Sequence, residues 1–209
     1  MVECVIRGCI DFYLRVRDKT SVIKLQVCLS GRVVRSLQKD LHEIAQLADT
    51  STNQELNYVL KETILALLRH PECIISAHSY VDVNFGFENG EKRFNQFSIQ
   101  EREKVDHETH VAFNHDIQYI VVTILVFVSG EQKLDPIIRR TDLKKALRYL
   151  GSLSSEEIKA VEVLWTPQQE NERISEVTLL LDYPYLKPLH EFKSIGRAMY
   201  DYIVEYNHK

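Results

Sequence analysis

Apolar positions along the first part of the chain recur with a helical period. The segment from position 32 carries them at steps of three and four, which predicts a helix with one buried face. These residues are Val34, Leu37, Leu41, Ile44 and Ala48. Thr52 and Glu55 have the spacing of a capping box, so a second helix is predicted from there to Pro71. Because the link between the two helices is short, they are expected to form an antiparallel hairpin.

Alternation with a period of two predicts strands elsewhere. It is strict over 73–85 and looser over 22–29, and an apolar stretch at 158–165 predicts a further strand. The segment 117–128 is rich in β-branched residues and is apolar on both faces. It is therefore predicted to be the middle strand of the sheet, covered on both sides.

The remaining patterns predict more helices, joined to the strands by short turns such as 86–90. The predicted helices span 91–105 with a break near Ser98, 141–150, 174–181, and the tail after 190. The order of elements predicts an α+β fold, a single domain with about four strands in a mixed sheet, packed against the antiparallel helix pair and further helices. Its expected parts are an N-terminal extension (1–21), the α+β domain (22–189) and a C-terminal helix or tail (190–209).

Composition narrows the class of protein. The chain has 209 residues, of which 44% are hydrophobic, enough for one core, and a formal net charge of -4. Without a basic field, a nucleic-acid partner is not expected. The longest apolar run, at 119–128, is far shorter than the ~20 residues of a membrane-spanning helix, so no transmembrane segment is expected.

The four cysteines form no CxxC pair and no metal-like doublet. They are Cys4, Cys9, Cys28 and Cys73. In a chain without other signs of an oxidised secreted scaffold, they are expected to be reduced thiols in a cytosol-like compartment.

Several separated stretches, in the same order along the chain, resemble a known family. They read AQLADTST (45–52), ETILALLRHP (62–71), EKRFNQ (91–96), YIVVTIL (119–125), VEVLWTPQ (161–168) and DYPYLKPL (182–189). Together they resemble the DUF1517 family of cyanobacteria and plant chloroplasts. The resemblance implies a domain without an established biochemical activity or cofactor, in a family with a plant member that acts in acclimation to fluctuating light at chloroplast membranes.

A histidine-rich segment is the densest polar cluster of the sequence. His107, His110 and His115, with neighbouring carboxylates, are weak candidates for binding a divalent metal. Two residues separate the first two histidines, whereas a zincin helix needs three. A solvated loop is the favoured alternative, and pH sensing by free histidines is a third.

Four other residues are candidates for contact with a protein partner: Arg69, His70, Arg93 and Trp165. Each also has a simpler structural role: a cationic helix end for Arg69 and His70, a solvated face for Arg93, and core packing for Trp165. No nucleophile elbow or phosphate-binding loop occurs, so no catalytic residues are assigned.

The leading hypothesis is a non-enzymatic regulatory or interaction domain with a protein partner, in photosynthetic acclimation. It would lie in the cyanobacterial cytosol or on the stromal side in a chloroplast, alone or peripherally attached to the thylakoid membrane. The alternative is an enzyme or small-ligand binder whose site assembles from distant residues. Self-association is a further hypothesis, through apolar residues of the C-terminal segment: Phe192, Ile195, Met199, Tyr202 and Ile203.

Overall fold

An antiparallel sheet of five strands organises the protein. The computed structural model describes residues 18–31, 33–48, 51–106, 119–169 and 174–190. The strands are β1 (Lys19–Ser30), β2 (Ile74–Phe85), β3 (Tyr119–Ser129), β4 (Ile158–Thr166) and β5 (Lys187–Pro188). Their order across the sheet is β4-β3-β1-β2-β5.

In the described part of the chain, five α-helices cover the two faces of this sheet. They are α1 (Val33–Leu47), α2 (Asn53–Leu68), α3 (Phe87–Asp106), α4 (Arg140–Gly151) and α5 (Glu176–Asp182), with one 3-10 turn at Pro71–Cys73. Helices α1, α2 and α4 bury their apolar stripes on one face. Helix α3 and the segment around α5 cover the other face.

The alternation of side chains along the strands divides the core in two. Odd-numbered residues of β1, such as Ile23 and Leu25, and even-numbered residues of β3, such as Ile124, pack beneath α1, α2 and α4. The opposite residues, such as Val22 and Phe127, pack beneath α3. Because β3 is apolar on both alternating faces, it belongs to both parts of the core, as its sequence predicts.

The α+β class and the single sheet are confirmed, with three corrections. The sheet has five strands rather than four, because β5 is only two residues long and is too short to show a period. All four strand pairs are antiparallel, so the sheet is not mixed. The middle strand is β1 rather than β3, since hydrophobicity records how deeply a strand is buried but not which strands it pairs with.

Two further corrections concern α3. The predicted turn at 86–90 is confined to Gly86, whose φ of 82° lies in the left-handed region, and the helix begins at the next residue. Gly90 lies inside the helix, where it permits a close approach to Phe127 of the sheet. The predicted break near Ser98 does not occur, because Ser98 is buried on the inner face of a continuous helix.

The predicted start of α2 is confirmed in part. The Thr52 hydroxyl accepts a hydrogen bond from the backbone N–H of Glu55, at 3.3 Å. The Glu55 carboxylate accepts from the Thr52 hydroxyl at 2.8 Å, where a capping box would have it accept from the backbone N–H.

None of the helices in the described ranges combines the length and hydropathy needed to cross a bilayer. The predicted N-terminal extension falls mostly outside these ranges. The predicted C-terminal helix, with its apolar residues from Phe192 to Ile203, lies outside them as well.

Candidate functional site

A polar cluster interrupts the apolar interior between the sheet and α3. On β1, Lys24 and Gln26 occupy the alternate positions that face α3, between the apolar Val22 and Cys28. Glu101 is on the inner face of α3, one turn beyond Phe97, and its side chain is only 2% exposed. A buried carboxylate must be matched by charges and hydrogen-bond donors, and the neighbouring strand supplies them.

The cluster engages both oxygens of the Glu101 carboxylate. Oε1 accepts from Lys24 Nζ at 3.1 Å and from Lys104 Nζ at 2.9 Å. Oε2 accepts from Gln26 Nε2 at 3.0 Å and from Lys104 Nζ at 2.9 Å. Gln26 Nε2 also lies 3.3 Å from Thr123 Oγ1 on β3. The carboxylate thus links α3 to the sheet by charge-assisted bonds.

Aromatic rings extend this cluster in two directions. Lys24 Nζ lies 4.7 Å from the centroid of the Phe97 ring, and Lys104 Nζ lies 4.7 Å from that of Tyr183, just after α5. A ring face attracts a cation, most strongly where water is partly excluded. The two lysines therefore connect the carboxylate to both α3 and the α5 segment.

His78 adjoins the cluster on β2, directly opposite Gln26 in the strand register. Its ring is partly buried and stacks on Tyr185, with 5.5 Å between the ring centroids. Burial lowers the pKa of His78, and the positive charges of Lys24 and Lys187 lower it further. This imidazole is thus held toward its neutral form.

The nearby thiol and phenol are not activated for chemistry. Burial raises the pKa of Cys28 to about 12, so the thiol stays protonated near neutral pH. Burial, and then the carboxylate of Glu176, raise the pKa of Tyr119, whose hydroxyl donates to Glu176 Oε1 at 3.1 Å. The groups on this face therefore position elements through hydrogen bonds and ion pairs.

The four residues predicted to contact a partner lie in separate places. Arg69 follows α2, 3.7 Å from Asp40 of α1, and His70 precedes the 3-10 turn. Arg93 pairs with Asp82 on the α3 side of the sheet. Trp165 belongs to the core on the other side, 9% exposed. The structure does not bring them into one site, and their roles in binding stay predictions.

The candidate metal ligands His107, His110 and His115 lie outside the described residues. Within the described ranges, no three His, Cys, Asp or Glu side chains converge in a way that could hold a metal ion.

Sequence reasoning missed the Glu101 cluster because Glu101 and Lys104 belong to a charged run that resembles a solvated helix face. Two signals pointed to it. Glu101 continues the stripe of Phe94 and Phe97 at helical spacing, and Lys24 and Gln26 take inward positions of a strand that is otherwise apolar.

Comparison with known proteins gives a family and two relatives. A family profile described as "Protein of unknown function (DUF1517)" matches residues 19–189. The chain is 52% identical over 193 residues to FLUCTUATING-LIGHT-ACCLIMATION protein 1, chloroplastic, of Arabidopsis thaliana, covering 86% of this chain and 49% of that protein. It is 32% identical over 191 residues to Protein FLAP1 homolog A of Synechocystis, covering 81% of this chain and 57% of that protein.

The chain thus spans about half the length of the curated relatives it matches, 49% and 57%. No solved structure matches it. The profile match extends from the first residue of β1 to one residue beyond β5 and includes Lys24, Gln26, Glu101 and Lys104. This protein therefore belongs to the DUF1517 family.

Proposed function

We propose that this chain is a non-enzymatic regulatory domain that acts in the acclimation of photosynthesis to changing light by binding a protein partner. The observation that carries the proposal is its 52% identity over 193 residues to the plant fluctuating-light-acclimation protein. Because the shared region is 49% of that protein, the proposal concerns only what this region contributes.

The polar cluster supports a positioning role over catalysis. Glu101 and its two lysines bond to one another and to Gln26, and they fasten α3 to β1. A carboxylate so fully occupied has no lone pair directed at a substrate. The cluster instead gives the sheet and α3 a fixed relative placement, which a binding surface requires.

Exposed apolar side chains on and just after α5 support the proposal that the domain binds a protein partner. Val177 and Leu181 are four residues apart on α5, and their exposed fractions are 64% and 74%. Tyr185, just beyond the helix, is 65% exposed. Neighbouring apolar side chains on a surface are typical of contacts between proteins. We place the domain in the cyanobacterial cytosol or on the stromal side in a chloroplast, held at the thylakoid periphery through its partner.

Disrupting the gene in its photosynthetic host tests this function. Chlorophyll fluorescence is recorded under light that alternates between high and low intensity, and under steady light of the same average. The expected result is an altered quenching response under alternating light, restored by the intact gene. Identical responses of mutant and parent under both regimes would refute the proposal.

A further inference from the structure

We propose that the outer edge of β4 binds an extended segment of the partner polypeptide, which joins the sheet as an additional strand. This inference rests on the proposed function, since it names a second surface, besides the exposed apolar residues of α5, through which the domain would engage its partner. It follows from the direction of the backbone groups in β4, the groove along that strand, and a buried indole N–H.

The hydrogen-bond register shows which backbone groups of β4 point outward. Gly130 N–H donates to Lys19 C=O at 2.8 Å, so the odd-numbered residues of β1 bond to β3. In β3, the backbone N–H and C=O groups of the even-numbered residues then point toward β1. Those of the odd-numbered residues point toward β4. Ser129 N–H donates to Glu157 C=O at 2.9 Å, in agreement with this assignment.

The residues of β4 that bond to β3 are therefore Glu162, Leu164 and Thr166, opposite the odd-numbered residues of β3. The N–H and C=O groups of Val161, Val163 and Trp165 point away from the sheet. Among the residues that the structure describes, none is hydrogen-bonded to these outward groups. They form a row of donors and acceptors ready for another strand.

A groove of about 400 Å³ follows this row. Val161, Val163 and Trp165 line it together with two walls on opposite faces of the sheet. One wall is mostly apolar: Leu41, Ile44 and Ala45 of α1, Ala48 just after that helix, and Val59 and Thr63 of α2. The other comes from α3: Phe94, Asn95, Ser98 and Arg102. A chain entering the groove would have a wall on either side.

Trp165 adds an independent sign of a missing partner. Its side chain is 9% exposed, and Nε1 is buried without a hydrogen-bond partner among the described residues. The ring packs edge-on against His42, with 5.3 Å between centroids. A buried indole N–H ordinarily has an acceptor, because losing its bond to water is costly. An acceptor supplied from the groove would remove this cost.

The usual protection of edge strands is confined to the ends of β4. Lys159 and a bulge lie at its start and Pro167 follows its end, whereas the residues with outward N–H groups between them, Val161, Val163 and Trp165, are neither charged nor proline. The charge of Glu162 is paired with Arg102 of α3. The opposite edge is partly covered by β5, which pairs with Ser76 and Ala77. A groove of about 380 Å³ along the uncovered part of β2 is walled only by α3, so it offers contacts on one face alone.

The two walls specify the segment that fits. Residues opposite Val161, Val163 and Trp165 would point toward α1 and α2, so they should be apolar. Residues opposite Glu162 and Leu164 would point toward Asn95, Ser98 and Arg102, so they should be polar. The occupant is therefore an extended peptide with alternating apolar and polar side chains, held by main-chain bonds and selected by its alternate residues.

The test selects peptides for the intact protein from a phage-displayed library of random nine-residue peptides. The most enriched peptide is synthesised, and its affinity is measured for wild type, Val163→Pro and Val83→Pro. Proline removes the outward N–H at Val163 without breaking a bond to β3. Val83 is the matched control, because its N–H also points outward, from the other edge of the sheet.

We expect enriched peptides with the alternating pattern, binding to Val163→Pro weakened about tenfold or more, and binding to Val83→Pro within about twofold of wild type. In wild type, NMR should show slowed amide exchange at Val161, Val163 and Trp165 when the peptide is added, a readout that does not depend on how well the proline variant folds. No enrichment, equal binding to Val163→Pro, or unchanged exchange would overturn the proposal.

Two other occupants would give different results, each of which overturns the proposal. If the edge pairs with a second copy, light scattering will show a wild-type dimer and a Val163→Pro monomer. If another part of the same chain covers the edge, the three amides will be protected in the free monomer.

The gene-disruption host separates failure of the docking site from failure of the function. Failure of the wild-type gene to restore the fluorescence response contradicts the proposed function. If Val163→Pro restores the fluorescence response as completely as wild type does, docking at β4 is contradicted, but the proposed function is not. Restoration by wild type and Val83→Pro, but not by Val163→Pro, supports both.

Discussion

At the level of single residues, the carboxylate of Glu101 is buried, and both of its oxygens accept charge-assisted hydrogen bonds. It is 2% exposed and pairs with two lysines. Replacing Glu101 by glutamine leaves both ammonium groups without a counter-charge in a largely buried place. Removing one partner of a buried ion pair costs about 3–5 kcal/mol, so we expect a loss near the lower figure, because Lys104 keeps some contact with water.

Urea unfolding of wild type, Glu101→Gln and Glu103→Gln measures this loss. Glu103 is an exposed carboxylate two residues further along α3, so its replacement changes the net charge equally and should leave the midpoint nearly unchanged. Equal midpoints for the two variants would show that the cluster does not hold α3 to the sheet.

His78 gives the stability of the protein a pH dependence on the acid side. Burial, Lys24 and Lys187 lower its pKa in the folded protein below the ordinary value of 6.5, which the unfolded chain keeps. The unfolded state therefore binds a proton more readily. The associated stability is complete above pH ~6.5 and is lost as the pH falls toward the folded pKa.

Thermal unfolding at a series of pH values between 8 and 5 checks this dependence. His78→Gln should show a smaller decline in Tm over this interval than wild type. Parallel curves for the two proteins would mean that the imidazole titrates alike in the folded and unfolded states.

Residue patterns revealed burial better than they revealed contacts. The stripe through Phe94 and Phe97 identifies the inner face of α3, but Glu101 on the same stripe carries the charge of a solvated residue. Only the register of β1 against β3 shows that Lys24 and Gln26 lie beneath it. Lys24 and Gln26 are about 75 residues away from Glu101 along the chain. A local sequence pattern therefore cannot predict that these side chains are in contact.

At the scale of elements, α3 is fixed to the sheet at its first turn as well as at Glu101. A Cβ atom at Gly90 would lie 2.5 Å from Cε2 of Phe127, which is well inside van der Waals contact. Alanine favours a helix over glycine by about 1 kcal/mol. The clash with a buried ring costs about 1–3 kcal/mol, so we expect Gly90→Ala to be a net destabilising change of about 1 kcal/mol.

Gly151 provides the control for this substitution. It is the last residue of α4, and an added Cβ would meet only Ile64, at 3.7 Å from Cδ1 and 4.0 Å from Cγ2, which are ordinary contacts. Chemical denaturation should give Gly151→Ala a stability equal to or slightly above that of wild type. A Gly90→Ala protein as stable as Gly151→Ala would show that α3 does not approach β3 so closely.

Periodicity in the sequence predicts where helices and strands occur, but it does not predict the order of the strands across the sheet. The stripe from Val34 to Leu41 and the alternation in 74–85 each identify an element, because one buried face imposes a period. The place of β1 at the centre and of β4 at the edge depends on pairing between distant segments. The strand β5 has too few residues to carry any period.

For the whole molecule, a sheet covered on both faces leaves its edges as the places where another strand can join. The cluster of Glu101 fixes α3 as one wall beside β4, and α1 and α2 form the other. Several short, separated stretches of sequence predict membership of the DUF1517 family, and the profile match to residues 19–189 confirms it. The edge could not be predicted, since it exists only after the strands are ordered.

We propose that this domain, which spans about half the length of the relatives it matches, acts in acclimation to changing light. The most direct measurement is the chlorophyll fluorescence of a cyanobacterium that lacks its homologous protein and instead expresses this chain, recorded under alternating light. We expect recovery toward the parental quenching response with this chain, and no recovery with an empty expression vector. A response no different from that of the strain without either protein, with this chain folded and abundant, would contradict this proposal.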